Sequence, residues 1–454
     1  MYAQTPLEKF VYIDTFGCQM NDSDSERLLS ILADSWKATK DPAIADLIIL
    51  NTCTVRDKAE QKVYSAAGKF KPLKEKNKNL IFAICGCLAQ QEGEKLLKRI
   101  SHLDMVFGPG SIHRVREMIG EVVEKKQRVA RTDQPGEVEE GEYAESSPNP
   151  HGVNRVKALT NIMRGCDNYC AYCIVPFTRG PEVSRKSSDI IAEIEGLSAS
   201  GVREVTLLGQ NVNSYGNNSN GKSLGIAFVE LLKQVSAIDG IERVRFVTSH
   251  PKDISPELIR LFGSLDALAD HIHLPVQSGS DSVLERMGRG YGTSEYLKTI
   301  DELRKQNPEI SITSDIIVGF PGESDSDFQK TIDFIERIRF DNIFSFKYSP
   351  RPGTRAAEFD GHLPEAVKST RLASLQARQM EITNENSQKM INKLEKVLVE
   401  GASVKDSMEL TGRTSTNRVV NFPGPGELVG EIVDVKILKA YTNSLRGELF
   451  RKEF

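Results

Sequence analysis

The sequence has no apolar segment long enough to cross a membrane. Its longest apolar stretch, residues 80–89, falls well short of the roughly 20 residues that a membrane-spanning helix needs. Residues 1–11 also lack the positively charged start and apolar centre of a secretory signal. These absences exclude a membrane partner and predict a cytoplasmic protein.

An excess of positive charge is missing as well. Lys and Arg number 59 against 63 Asp and Glu, and the formal net charge at pH 7 is −4. The overall charge gives no argument for a nucleic-acid partner, so any such contact has to come from local patches. Between Arg131 and Arg155 there is no Lys or Arg, but there are six acidic residues and three prolines. This composition predicts an acidic linker over residues 133–155.

Cysteine is scarce and odd in number, which argues against a disulfide framework. Seven cysteines are spread over 454 residues, whereas disulfide frameworks belong to short secreted domains. Cys166, Cys170 and Cys173 form one tight C-x3-C-x2-C loop. Such thiolates can converge on one ion or cluster, and three of them leave one metal position without a protein ligand. The alternative is zinc, which normally takes four protein ligands in a structural site, and no fourth Cys or His lies nearby.

Residues 9–128 alternate short apolar segments with amphipathic ones, as an open parallel α/β sheet requires. We predict strands over 10–15, 47–51, 80–84 and 105–107, and helices over 25–35 and 111–125, the first capped by Asn21 or Asp22.

Cys18, Cys53 and Cys87 each follow one of these predicted strands. Because the carboxyl ends of parallel strands share one edge, the three thiols are predicted to meet there as metal ligands. The alternative for each is a small buried hydrophobe, the usual fate of a free cysteine. Cys85 lies inside the run of the third strand, so we interpret it as a core residue, although an exchange with Cys87 stays open.

The βα alternation resumes after the linker with longer units. Strands are predicted over 157–163, 204–208, 244–248, 271–276, 312–318 and 342–346, with helices between them. Six such units wind an incomplete (β/α)6 barrel with its functional face at the carboxyl ends of the strands. Gln210, Asn211, Gln277 and Asp315 fall at or near those ends and are candidates for binding a ligand, although turn chemistry also explains them. We interpret His250, His271 and His273 as structural.

The C-terminal part changes period. A long helix over 366–391 precedes short segments with glycine-rich turns, including one over 428–430, which predict a small all-β barrel. Its arginines Arg413, Arg418 and Arg446, with Arg451 and Lys452, are candidates for phosphate contacts. Small barrels do many jobs, so nucleic-acid binding is only one interpretation.

Several motifs together resemble one family. They are TFGCQMN at 15–21, NTCTVR at 51–56, GCLAQ at 86–90, the segment from RGC at 164–166 to RG at 179–180, GQNVN at 209–213, LPVQSGS at 274–280 and the segment 315–323. Over nearly the whole chain the sequence resembles the radical S-adenosylmethionine (SAM) methylthiotransferases, and GCQMN resembles their MiaB branch. The C-terminal barrel resembles an RNA-binding TRAM domain. The resemblance implies a methylthiotransferase domain at 1–132, the linker, a radical SAM domain at 156–384 and the barrel at 385–454.

The resemblance also implies cofactors and roles. Cys166, Cys170 and Cys173 would bind the 4Fe-4S cluster that cleaves SAM, and Cys18, Cys53 and Cys87 a second, auxiliary 4Fe-4S cluster. Tyr172 would join the four strand-end residues in the SAM pocket. One SAM would methylate a cluster-bound sulfur and another would yield the radical that activates carbon 2 of the adenine. Basic residues would hold tRNA phosphates: Arg56, Lys58, Arg164, Arg179, Arg185 and those of the barrel.

On this resemblance the substrate is N6-dimethylallyladenosine next to the anticodon of tRNA, in the anticodon stem-loop. A monomer served by a sulfur donor and by an electron donor such as flavodoxin or ferredoxin is expected. Two alternatives stay open at this point. One is the same chemistry on threonylcarbamoyladenosine in tRNA or on a ribosomal protein, and the other is a noncatalytic iron-sulfur protein that binds RNA or transfers electrons.

Overall fold

The computed structural model describes residues 8–54, 59–133, 156–217, 226–404, 406 and 408–450. The predicted linker from residue 134 onward lies outside the described residues. So do four of the candidate phosphate-binding residues, Arg56, Lys58, Arg451 and Lys452. The chain divides into two compact units. Unit 1 comprises Met1–Val153, Met163–Asp167 and Ile174–Val183, and unit 2 comprises Asn154–Ile162, Asn168–Cys173 and Ser184–Phe454.

Unit 1 contains an open sheet of six parallel strands in the order β2-β1-β3-β4-β5-β6. The strands are β1 (Lys9–Thr15), β2 (Trp36–Ala38), β3 (Leu47–Thr52), β4 (Ile81–Gly86), β5 (Met105–Phe107) and β6 (Val129–Arg131). The helices are α1 (Gln19–Leu32), α2 (Ala59–Lys76), α3 (Cys87–Glu92), α4 (Glu94–Arg99) and α5 (Val115–Lys125). The four predicted strands are present. The two that the sequence did not reveal, β2 and β6, have three residues each and lie at the sheet edges, where so short a segment shows no periodicity.

Both faces of this sheet are covered. Every residue of β3 and β4 is buried, which is typical of parallel strands with helices on both sides. One core packs Leu28 of α1 and Met118 of α5 against the sheet, and the other packs Phe70 of α2 and Leu96 of α4 against its opposite face.

Two predicted helices of unit 1 begin differently from the expectation. Helix α1 begins at Gln19, directly after Cys18, so Asn21 and Asp22 lie in its first turn and the prediction that they cap it is wrong. Its first turns bury polar side chains, which an apolar pattern does not detect. The helix predicted over 111–125 opens as a 3-10 segment, Pro109–Arg114, before α5.

The next part of the chain carries the incomplete barrel. Its elements are β7 (Lys157–Asn161), β8 (Met163–Arg164), α6 (Val175–Arg179), β9 (Val183–Ser184), α7 (Ser187–Ala199), β10 (Glu204–Leu208), α8 (Phe228–Ser236), β11 (Arg243–Phe246), α9 (Pro256–Leu261), β12 (His271–His273), α10 (Asp281–Met287), α11 (Thr293–Gln306), β13 (Ser311–Val318), α12 (Asp325–Ile338) and β14 (Asn342–Lys347). Within unit 2, parallel strands form sheets in the orders β11-β10-β7 and β12-β13-β14. The six predicted strands are therefore confirmed.

The C-terminal part of unit 2 is a helix followed by a closed barrel. They consist of α13 (Glu365–Gln388), β15 (Leu394–Ala402), β16 (Glu409–Thr414), β17 (Val419–Pro423), β18 (Ile432–Ala440) and β19 (Leu445–Leu449). The barrel closes in the order β15-β16-β17-β19-β18. The strand predicted over 428–430 is wrong, because a 3-10 turn, Gly426–Leu428, occupies that place. Among the described residues, no helix has the length and apolar character to cross a bilayer.

Candidate metal centres and ligand pocket

The structure brings the three N-terminal cysteines of the prediction together. Cys18 directly precedes α1, Cys53 follows β3 and Cys87 is the first residue of α3 after β4. The thiols of Cys18 and Cys53 are hydrogen-bonded, and Cys87 is close enough to act electrostatically on Cys18. A Cβ atom at Gly17 would lie only 2.9 Å from the Cβ of Cys53, so the close approach of these loops requires glycine there.

A buried amide network fixes the loops that carry these thiols. Asn21 donates to Asn51 Oδ1 at 3.0 Å and to the Thr52 carbonyl at 3.1 Å, while Asn51 donates to the Asn21 carbonyl at 2.8 Å. The Cys18 thiol donates to Asn21 Oδ1 at 3.3 Å. Because fully paired buried networks are rigid, the strand ends around Cys18 and Cys53 are held in one arrangement.

An arginine lies beside the same thiols. Arg179 at the end of α6 donates to Asp24 Oδ2 at 2.8 Å, and each side chain is 6% exposed. The hydrogen bond from Cys53, together with the charge of Arg179, lowers the pKa of Cys18 to about 6. Burial raises the pKa of Cys87, against the opposing effect of Arg179. The environment thus favours thiolate at Cys18, the form in which cysteine binds metal.

Cys85 is set apart from this group by its packing. Its side chain belongs to the core cluster formed by α1, α5 and the sheet, and burial raises its pKa well above the usual value. Thr52 donates to its carbonyl oxygen at 2.6 Å. The core interpretation of Cys85 agrees with these contacts.

The second cysteine loop is divided between the units, with Cys166 in unit 1 and the other two cysteines in unit 2. Gly165 has φ +74°, and a Cβ there would lie 1.9 Å from the Pro181 carbonyl oxygen, so only glycine fits before Cys166. In unit 2 the Cys173 amide donates to the Cys170 carbonyl at 3.0 Å. The Ala171 amide donates to the Met287 carbonyl, and the Ala171 carbonyl accepts from the Ala356 amide.

Sequence reasoning missed a charged residue beside Cys170. Arg289, two residues beyond α10, is 4% exposed and donates to Cys170 Sγ at 3.4 Å. The only sequence signal was its place in Met-Gly-Arg-Gly-Tyr, a run without apolar periodicity. Tyr172 Oη accepts a hydrogen bond from the same arginine at 3.4 Å. Burial raises the pKa of this phenol well above its usual value.

Thiolates are the protein donors that iron-sulfur clusters require. Within the described ranges, no three or more Cys, His, Asp or Glu side chains are grouped tightly enough to hold one metal ion. A 4Fe-4S cluster binds each thiolate at a different iron, so its ligands need not surround one point. All seven cysteines are free of disulfides, so each of the six predicted ligands keeps a thiol for a cluster, and their assignment stays a prediction.

Polar atoms without protein partners gather at the carboxyl ends of the strands of unit 2. Gln277 Oε1, Asn213 Oδ1, Ser249 Oγ and His250 Nε2 are buried and have no hydrogen-bond partner among the described residues. Buried polar groups rarely stay unpaired without a reason such as a ligand. These four atoms are therefore candidates for contact with a bound ligand.

The backbone at this edge is strained in two places. Thr248 has φ +67° and Gln277 has φ +75°, a region in which non-glycine residues cost about 1–3 kcal/mol and which is common at functional sites. Nearby, Asn211 donates to Asp253 at 2.7 Å and accepts from the His250 amide at 3.2 Å. The candidate ligand residue Asn211 is thus bonded to Asp253 and His250, neither of which was predicted as a ligand contact.

Asp315 faces a histidine. His273 Nε2 lies 3.5 Å from Asp315 Oδ1, and its Nδ1 lies 3.0 Å from Thr313 Oγ1. His271 Nε2 lies 3.0 Å from the same hydroxyl. The structural interpretation of His271 agrees with its burial, whereas His273 shares a strand-end contact with a predicted SAM residue.

Two buried histidines should make stability depend on pH. Burial lowers the pKa of His271 well below 6.5, and burial with nearby Arg289 and Lys252 lowers that of His250 to about 2. Below about pH 6.5 the unfolded chain binds protons that the folded chain does not, so stability is lost as pH falls. We expect a decrease of up to about 1.4 kcal/mol per pH unit for each histidine between about pH 6.5 and 5.

Urea unfolding followed by far-ultraviolet circular dichroism at several pH values measures this decrease. A His271→Gln variant should lose about half of the slope in that window. An unfolding free energy of unit 2 that is flat with pH in both proteins would contradict the expectation.

The predicted phosphate-binding arginines have protein partners. Arg164, Arg179 and Arg185 are buried, and Arg185 pairs with Glu193 at 2.8 Å. In the barrel, Arg413 pairs with Glu400 at 3.3 Å, Arg418 with Asp341 and Arg446 with Glu409. Arg446 is half exposed, and is therefore the barrel arginine best placed to meet a phosphate. RNA contact by all six stays a prediction.

Comparison with known proteins shows which family the chain belongs to. Its sequence matches the Radical SAM superfamily over residues 160–335, the Uncharacterized protein family UPF0004 over 10–108 and the TRAM domain over 388–450. A tRNA-2-methylthio-N(6)-dimethylallyladenosine synthase of Geobacter metallireducens is 50% identical over 443 residues, which cover 97% of this chain and 98% of that protein. The chain belongs to the tRNA-2-methylthio-N(6)-dimethylallyladenosine synthase family. The synthase of Pelobacter propionicus is 48% identical over 443 residues, covering 97% of this chain and 99% of that protein.

Solved structures support the fold assigned to this synthase-family chain. The radical SAM methyltransferase TsrM from Kitasatospora setae, with cobalamin and a 4Fe-4S cluster bound, aligns with a TM-score of 0.55 at 13% identity and covers 77% of each chain. The cobalamin-dependent radical SAM enzyme OxsB, with aqua-cobalamin and SAM bound, aligns with a TM-score of 0.51 at 14% identity, over 83% of this chain and 56% of that chain. At this identity the likeness concerns the fold alone.

Proposed function

We propose that the protein inserts a methylthio group at carbon 2 of N6-dimethylallyladenosine next to the anticodon of tRNA. The observation that carries the proposal is similarity to synthases of this activity over 97% of the chain, in a protein with one set of three cysteines per predicted α/β domain. The carbon is part of an unactivated aromatic ring and resists acid-base chemistry, so cofactors have to carry the reaction.

The residues on hand would hold two clusters. Cys18, Cys53 and Cys87 would bind the auxiliary 4Fe-4S cluster, and Cys166, Cys170 and Cys173 the cluster that binds SAM. When bound, the clusters and SAM together would supply the electron, the radical and the methylthio group of the reaction. The chain's own part is to favour thiolate at Cys18 through the hydrogen bond from Cys53 and the charge of Arg179, and to offer Gln277 Oε1 and its neighbours to the polar groups of SAM.

The tRNA would be bound as a single-stranded loop, because the target base has to leave its stack to reach a buried centre. Arg446 and the TRAM-like barrel are the proposed phosphate contacts. We further propose a cytoplasmic monomer supplied by an electron donor and a sulfur donor. The proposed domain boundaries, 132, 156 and 385, each fall outside the segments matched by the three families, which span 10–108, 160–335 and 388–450.

Mass spectrometry of nucleosides tests the substrate. Bulk tRNA from a strain lacking the protein should contain N6-dimethylallyladenosine without its 2-methylthio form, and a plasmid copy should restore that form. A plasmid carrying the Cys170→Ala variant should not, which separates catalysis from mere RNA binding. Undiminished 2-methylthio-N6-dimethylallyladenosine in the deletion strain would refute the proposal, and a loss confined to threonylcarbamoyladenosine or a ribosomal protein would favour the other substrates.

A further inference from the structure

Arg289 is a buried cation without a carboxylate partner in the part of unit 2 that the structure describes. It is 4% exposed. Its guanidinium donates to the Pro275 carbonyl at 2.7 Å, to Tyr291 Oη at 3.0 Å, to Tyr172 Oη at 3.4 Å and to Cys170 Sγ at 3.4 Å. Three of these four acceptors are uncharged oxygens, so the sulfur is the remaining group that can carry a full negative charge.

Other buried arginines of this chain are paired differently. Arg179 donates to Asp24 at 2.8 Å, Arg371 to Glu323 at 2.6 Å and Arg185 to Glu193 at 2.8 Å. A buried charge without a counter-charge costs several kcal/mol, and the fold meets that cost with a carboxylate at each of these three places. Among the described groups that accept a hydrogen bond from Arg289, the Cys170 sulfur is the one that can carry the counter-charge.

Two of the acceptors of Arg289 are the phenol oxygens of Tyr172 and Tyr291. A phenol has a reference pKa of about 10 and is neutral at pH 7, so neither tyrosine supplies the anion. The Arg289 side chain is also fixed in place. It donates directly to the Pro275 carbonyl, and its acceptor Tyr291 donates in turn to the Val276 carbonyl at 2.9 Å. The cation is thus held rigidly against one cysteine of the Cys166 loop.

We propose that Arg289 is the counter-cation of the Cys170 thiolate and of the cluster that this thiolate ligates, and that it raises the reduction potential of that cluster. The inference rests on the proposed function. Reduction adds one electron to the cluster, and a fixed positive charge and a hydrogen bond to a ligating sulfur both stabilise the reduced form. Arg289 is a positioning residue here, since it acts on the cofactor through Cys170.

A redox titration of a single-cluster protein tests the proposal. In a full-length background with Cys18, Cys53 and Cys87 changed to alanine, only the Cys166 loop can load a cluster. Arg289→Gln keeps hydrogen-bond donors but removes the charge, Arg289→Lys keeps the charge, and Arg286→Met is the matched control. Arg286 is a cation three residues earlier that donates to the Pro321 carbonyl at 3.1 Å, with no hydrogen bond to a cysteine. Iron content and electron paramagnetic resonance at set potentials are measured for each.

The expected result is a more negative potential in Arg289→Gln. At a fixed potential its ratio of reduced to oxidised cluster should fall about tenfold, which for a one-electron couple is about 59 mV. The potential of Arg289→Lys should shift by less than half as much as that of Arg289→Gln. The potential of Arg286→Met should equal that of the background protein. Loading of iron by the lysine variant but not by the glutamine variant would equally support a need for charge.

An unchanged potential in Arg289→Gln would overturn the inference, as would equal shifts in the glutamine and lysine variants or failure of both to load iron. These outcomes differ from failure of the proposed function itself. That failure would show as a background protein that loads no cluster, or as a wild-type protein that loads clusters and makes no methylthio product.

Discussion

A Cys166→Ala variant is expected to make no detectable 5′-deoxyadenosine from SAM. The loop offers three thiolates, and loss of one leaves an iron of the proposed cluster without its protein ligand. The same sequence provides no fourth Cys or His close by as a substitute. The measurement is liquid chromatography with mass spectrometry on reconstituted protein incubated with SAM and a strong reductant. We expect the iron content to fall by about half, to a single four-iron cluster per chain.

Cys18→Ala is the matched control in the other set of thiols. It should also lose about half of the iron, yet retain part of the 5′-deoxyadenosine formation while losing the methylthio product on tRNA. The reason is that Cys18 belongs to the predicted auxiliary set with Cys53 and Cys87, while Cys166, Cys170 and Cys173 would still hold the cluster that cleaves SAM. If either variant kept both activities, the assignment of its cysteine set would be wrong.

The strand ends are what the sequence predicted best. Parallel strands are continuous apolar runs, so β3 and β4 were visible as such, and Cys53 and Cys87 followed from them. The beginning of α1 was not visible. Asn21, Asp24 and Ser25 are buried there because they bond to groups of the neighbouring strand or to Arg179, and polar residues buried by long-range partners look exposed in a pattern of hydrophobicity.

Charge partners were the other limit. Asp24 and Arg179 are 155 residues apart, and Cys170 and Arg289 are 119 apart. Motif spacing predicts which cysteines bind metal, but it carries no information on which distant cation folds against them. For the same reason the sequence could not show that Arg164, Arg179 and Arg185, which are predicted to hold RNA phosphates around the barrel mouth, are buried in the folded chain.

Changing Asp24 to asparagine should destabilise unit 1 by roughly 3–5 kcal/mol, because it removes the charge that pairs with Arg179 and leaves a buried cation. Both side chains are 6% exposed and their atoms are 2.8 Å apart, so solvent cannot replace the lost partner. The sequence has one tryptophan, Trp36 in β2, which packs against a core cluster of unit 1. Its fluorescence during urea unfolding of the apoprotein therefore reports on this unit alone.

Two comparisons separate the buried charge from other effects of the substitution. Asp34→Asn breaks an ion pair with Arg116 of the same 2.8 Å length, but its side chains are 79% and 47% exposed, so the expected cost is at most about 1 kcal/mol. The double variant Asp24→Asn with Arg179→Met removes the orphaned charge and should recover most of the loss, since buried pairs can be replaced by neutral groups at little cost. Equal losses in Asp24→Asn and Asp34→Asn, or a double variant less stable than Asp24→Asn alone, would mean that the pair does not act as a buried charge pair.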